Sequence, residues 1–154
     1  MKTKIKNIIL KEMKPFLNEF QCEKLVEILN ITFKDISFKK IEKKFNNNDI
    51  FENNKLLNLF LSSKEIEGCS KKTLVYYNST IVKMLDYIEK RIEFISTEDL
   101  RRYLSYHKSE RHSSKTTIDN IRRIFSSFFS WLEDEDYILK NPVRRIHKVK
   151  RGRV

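Results

Sequence analysis

The stretch IRRIFSSFFSWLEDED, residues 121–136, sets two arginines ahead of four aromatic rings mixed with serines, and four acids behind them. A helix made only for a core has no use for the hydroxyls, and one made only for solvent has no use for the rings. Stepped at about 100° per residue, Ile118, Phe125, Phe128 and Leu132 fall within roughly 60° of Ile121, flanked by Ile124, Phe129 and Trp131. That is a core face, and its aromatics are read as packing. The opposite face reads Lys115, Thr116, Asp119, Arg122, Arg123, Ser126, Ser127 and Ser130. Arginine forks onto guanine or phosphate, Asn120 suits adenine, and small hydroxyls suit phosphate at close approach. The stretch therefore predicts a helix with a core on one side and a nucleic-acid surface on the other.

The rest of the chain follows the same helical period. Of its 154 residues, 40% are hydrophobic and 12% aromatic, and 2 Gly with 2 Pro supply little for hairpin turns. Ile5, Ile8, Ile9, Met13, Phe16 and Leu17 recur at three and four residues, and Pro15 ends or kinks that first helix. Asn18 with Gln21 has the form of a capping box opening a helix through Leu25, Val26, Leu29 and Phe33. The stretch NNNDIFENN, residues 46–54, is expected to be low in order and to separate an N-terminal segment from the rest. Leu56, Leu57, Phe60 and Leu61 start a new helix that Gly68 terminates. Ser70 caps the next, with Leu74, Tyr77, Ile81, Met84, Leu85 and Ile88 inward. Ser96 or Thr97 opens another, with Glu98 and Asp99 in the first turn and Leu100, Tyr103 and Leu104 inward. Ser113 or Ser114 caps the helix described above, and Asn141-Pro142 stops helical structure. The expected fold is all-α: a compact bundle of about four helices with an additional N-terminal helical hairpin. The expected division is an N-terminal segment 1–54, a helical domain 55–140 and a basic tail 141–154.

The formal charge is +11, which in a chain this small points to a polyanionic partner. Lysine and asparagine in KKIEKKFNNNDIFENNK are what biased base composition yields. The tail from Lys140 to Val154 is different: it has no acid and carries seven of the eleven net charges, four of them arginines. Lys71, Lys72 and Thr73 stand at a second helix start, where free backbone amides also favour phosphate. Cys22 and Cys69 are far apart and are read as small buried apolar residues in a reducing compartment. No apolar run approaches the ~20 residues that span a bilayer, so the expected place is the cytoplasm, on DNA, with no membrane partner. His107 and His112 lack further ligands, and Glu133, Asp134, Glu135 and Asp136 are read as a solvated acidic helix end. Neither reading gives a metal site, and two glycines build no phosphate loop, so no cofactor is expected.

Three segments carry a family resemblance: GCSKKTLVYYNSTIVKMLDYI, ISTEDLRRYLSYH and SSKTTIDNIRRIFSSFFSWLEDEDYILKNPVRRI. Together, over residues ~56–148, they resemble the core-binding domain of tyrosine recombinases, the phage integrase group. The resemblance implies a helical bundle that clamps one side of a recombination core site, while a separate C-terminal domain does the chemistry. It assigns Lys71, Lys72, Thr73 and Tyr77 to a first DNA-facing helix, and Lys115, Thr116, Asn120, Arg122 and Arg123 to a second. It assigns Arg144, Arg145, Lys148 and Lys150 to the linker running along DNA between the domains. The family's catalysis needs an Arg, a Lys, a His-x-x-Arg, a further His or Trp and a nucleophilic Tyr, and this sequence holds no such set. The resemblance thus implies a piece or natural truncation of an integrase, one that binds double-stranded DNA beside other recombinase protomers without cutting it. Two other classes compete. A helix-turn-helix regulator needs a tighter turn than KSERHSSK, and a protein-interaction bundle would use the apolar helix faces of residues 1–50. RNA readers that stack bases use aromatic strand motifs this sequence lacks.

Overall fold

The computed structural model describes residues 1–38 and 44–150. The chain divides into two compact units, Met1–Lys43 and Lys44–Val154. All regular structure among the described residues is helical, as the periodicity predicts.

The first unit is a helical hairpin. Helix α1 (Lys2–Met13) ends where Lys14–Phe16 tightens into a 3-10 turn holding Pro15, whose ring cannot extend an α-helix. Helix α2 (Glu19–Thr32) begins at the expected capping box: the Asn18 side chain accepts from the Gln21 amide, and Gln21 accepts from that of Asn18. The two helices run antiparallel, since Lys6 Nζ donates to Asn30 Oδ1 at 2.8 Å and Lys2 Nζ to the Lys34 carbonyl at 3.1 Å. Leu29 is the one buried side chain of either helix.

The second unit holds α3 (Asn47–Ile66), α4 (Lys71–Ile88), α5 (Thr97–Ser109) and α6 (Lys115–Asp134). Here the expected low order of residues 46–54 is corrected. Those residues form the cap and first two turns of α3, with Asn46 capping the amides of Asn48 and Asp49. Asparagine-rich sequence reads as loop when counted by composition. At a helix start the same side chains satisfy free backbone donors. Asn53, two turns in, is buried and binds both the Lys90 carbonyl and the Ile92 amide, tying α3 to the α4–α5 connection.

Gly68 ends α3 at φ +94°, a left-handed conformation that side chains disfavour. Ser70, Ser96 and Ser114 cap α4, α5 and α6. The core is a single cluster centred on Phe60, fully buried. Its ring lies 6.0 Å from Tyr77 of α4, and 5.1 and 5.7 Å from Phe128 and Trp131 of α6. Helices α4 and α6 each pack against the other three helices of the bundle. Cys22 and Cys69 are half-buried rather than buried, and free.

Candidate nucleic-acid interface

The supposed open face of α6 is partly covered by the tail that follows it, which corrects the wheel reading. Asp119 is buried. Its carboxylate accepts from Arg122 Nε at 3.0 Å, pairs with Arg123 Nε at 3.1 Å and accepts from the Val149 amide at 3.3 Å. Burial pushes this carboxyl up. The Arg122 hydrogen bond, the Val149 amide and the two guanidinium charges outweigh it and hold Asp119 below the usual carboxylate range. Arg122 is 15% exposed and Arg123 55% exposed. The first is therefore a structural cation, and the second reaches solvent while paired with the same carboxylate.

The serines of that face are half-buried. Ser130 accepts from the Asn141 side chain at 3.1 Å. At the acidic end Asp134, Glu135 and Asp136 are exposed as expected, while Glu133 is not a solvated acid but a clasp. It accepts from the Asn141 amide at 2.6 Å and pairs with Arg144. Asn141 also accepts from the Val143 amide, and Thr97 donates to the Pro142 carbonyl at 2.7 Å. With Asn141 and Val143 buried, and Ile146 and Val149 packed against the core, residues 141–149 fold back over α5 and α6.

This return places the tail beside the start of α6. Arg101, Lys108 and Lys115 line a groove of about 430 Å³ together with Leu104, Ile118, Ile146 and Val149. Arg101 also donates to the Arg145 carbonyl at 3.4 Å. Arg145, Lys148 and Lys150 stand exposed along the tail, and Lys115 and Thr116 on the first turn of α6. Arg144 is exposed but held by Glu133, and Asn120 is half-buried. Arg101 and Lys108 were not singled out from sequence. Their signal is the seven-residue spacing that puts both on one face of α5.

The α4 residues divide. Lys71 and Lys72 are exposed, and among the described residues no hydrogen bond or ion pair ties them to the α6–tail face. Thr73 Oγ1 lies 3.0 Å from the Ser70 hydroxyl within the helix cap. Tyr77 stacks on Phe60 at the core's edge. Ser114 and Thr117 repeat the Ser70–Thr73 cap at the start of α6. No cluster that suits a metal ion occurs among the described residues, and His107 is engaged by the Tyr103 hydroxyl and Ser113.

Residues 56–139 match the family model described as phage integrase, N-terminal SAM-like domain. The chain belongs to that family. The match spans α4, α5 and α6 and most of α3, the elements that build the groove and its core. No curated protein sequence matches the chain. Among solved structures, this integrase-family chain is similar to the integrase from mycobacterium phage Brujita. That likeness has a TM-score of 0.58 at 20% identity and covers 65% of this chain and 34% of that one. It is also similar to a lambda integrase, solved as a dimer bound to a COC' core site. There the TM-score is 0.54 at 20% identity, over 88% of this chain and 39% of that one. At such identities the likeness is one of fold, and the chain spans between a third and two fifths of each integrase.

Proposed function

We propose that this chain is the core-site recognition module of a tyrosine recombinase, binding double-stranded DNA without cleaving it by itself. The observation that carries the reading is the Asp119 hub. By holding Arg122, Arg123 and the Val149 amide at once, it lays the acid-poor tail beside the cationic start of α6. Lys115, Lys148 and Lys150, with Lys108 at the groove beside the Glu98-paired Arg101 and with Arg123 further along α6, then offer cations to a phosphate backbone. Lys71 and Lys72 at the start of α4 supply a second set of contacts.

The similar lambda integrase is a dimer on a core site, which supports a DNA partner and further protomers beside this chain. In this reading residues 1–54 hold the N-terminal hairpin and the first turns of α3, 55–140 bind the core site, and 141–154 lead along DNA toward a catalytic domain. Arg151 and Arg153 of that linker lie outside the described residues. Tyr103, the most buried tyrosine, has its hydroxyl pushed up to about 12 by burial, which suits packing and not attack on phosphate. The setting is the cytoplasm, on DNA.

Fluorescence anisotropy with a labelled duplex over a salt series tests this. R123A and K115A are each expected to weaken binding several-fold and to lower the salt slope by about 1. The triple change R145Q/K148Q/K150Q is expected to lower it by about 3 and leave Val143 in the core. Unchanged affinity and slope in all three variants would reject the interface.

A further inference from the structure

The hairpin of α1 and α2 buries one side chain, Leu29, and leaves Ile8, Phe16, Phe20 and Ile31 more than half exposed. On α2 the seam against α1 uses Cys22, Leu25 and Leu29, all at least half-buried. On the opposite side Phe20 is 76% exposed and Ile31 68%, and Ile28 at the flank is 49% exposed. Phe20, Lys24, Glu27 and Ile31 are spaced four, three and four residues apart, the spacing that lines one stripe of a helix surface. Lys24 and Glu27 form an ion pair of 3.1 Å in the middle of that stripe, both more than half exposed.

The order of this stripe is self-complementary. When two such helices run antiparallel about a two-fold axis, residue i faces residue 51 − i. Phe20 then meets Ile31 of the second copy, Lys24 meets Glu27, and each pairing occurs twice. An isologous interface requires this symmetry, with apolar ends packing together and opposite charges crossing at the centre. A generic apolar ligand would need neither the order nor the charges.

We propose that the outer face of α2 is a docking surface for the same face of a second copy of this chain. It gives the further protomers expected on DNA a specific surface, and rests on that reading only for its purpose. The pairing itself needs no DNA. A single stripe per copy falls short of the ~800 Å² per partner of a standard stable interface, so the contact is weak, with Kd on the order of 100 µM. Two copies held on neighbouring half-sites gain it through effective concentration.

Sedimentation equilibrium of the full chain without DNA, from 5 to about 500 µM, tests the proposal at the concentrations such a Kd requires. The wild type is expected to shift from monomer to dimer across the range. E27K and K24E each place like charges across the axis and are expected to weaken association at least ~10-fold, with helicity by circular dichroism unchanged. The double swap K24E/E27K restores opposite charges at both crossings and is expected to return association to within ~3-fold of wild type. I31E removes it. A wild type monomeric throughout, or a double swap as weak as the single changes, overturns the proposal. If I31E lowers the melting temperature of a monomeric chain, the face is covered by the chain's own residues, and the proposal also falls. The anisotropy assay at nanomolar protein is blind to this contact, so failure here and failure of DNA binding are read separately.

Discussion

The Asp119 carboxylate accepts a hydrogen bond from the Val149 amide thirty positions along the chain, while gripping Arg122 and Arg123 from its own helix. A buried acid at the centre of a cationic surface opposes polyanion binding through its charge and favours it through geometry. The two effects have opposite signs, so a substitution decides between them.

D119N raises the net charge by one, which by screened electrostatics alone tightens DNA binding slightly. If Asp119 acts by positioning, D119N instead frees Arg122, Arg123 and the tail, and DNA affinity falls about 10-fold, which is ~1.4 kcal/mol. Anisotropy at matched salt reads the sign directly. Tighter binding by D119N would show that the hub does not organise the interface.

Asn53 bridges the Lys90 carbonyl and the Ile92 amide from inside the bundle. N53A leaves both groups without their partner, and the Ile92 side is buried. The expected loss is about 2–4 kcal/mol of unfolding free energy, since each stranded buried group costs ~1–3 kcal/mol. Urea unfolding checks this. A loss below ~0.5 kcal/mol would mean that water replaces the amide in both bonds.

Gly68 has φ +94°, and a Cβ built there meets nothing within 4 Å. Any cost of G68A is therefore conformational, with no steric clash. The expected destabilisation is about 1 kcal/mol, from the left-handed backbone. G68N is expected to recover part of it, because asparagine tolerates this region better than alanine. Equal stability of G68A and wild type would show that the α3–α4 turn can be rebuilt without the left-handed residue.

Acid should unfold the second unit in two stages. His107 is held below its ordinary range, first by burial and then by the charges of Arg111 and Lys83. Its folded form binds the proton less readily than the unfolded chain. Stability is therefore full above the unfolded value of about 6.5 and declines as pH falls through the folded value. Asp99 and Asp119 add a second loss. Burial raises Asp99, but hydrogen bonds from Ser96 and Lys90 outweigh it and leave this carboxyl lowered, as Asp119 is. Both contributions are complete above about pH 4 and disappear below it. Thermal melts from pH 8 to 3 should show the first decline in wild type, and H107Q should lack it while keeping the second. A wild-type melting temperature flat from pH 7 to 5 would remove His107 from the account.

Much of this molecule is legible from local chemistry. Ser70, Ser114, Asn18–Gln21 and Gly68 act within four residues, and all sit where the periodicity puts them. The core face of α6 is likewise local, since Phe125, Phe128 and Leu132 follow one period and are all fully buried. Asn46 and Asp49 belong to the same class, yet composition hid them: an asparagine run reads as loop until the first apolar residues beyond it are seen to be helical.

What the sequence by itself determined is the helical class, the starts of α2, α4, α5 and α6, the end of α3 at Gly68, the aromatic core stripe and the basic excess at the tail. Only the tertiary structure decided what the polar residues do. Ser130, Glu133 and Asp119 stand on a face that looks open on a wheel, and the partners that close it arrive from residues 141–149. The physical reason is range. Capping and periodicity are settled by neighbours within one or two turns. The fate of a charge depends on which distant backbone folds over it, and here that choice sorts the arginines into those that hold the bundle and those left to meet a partner.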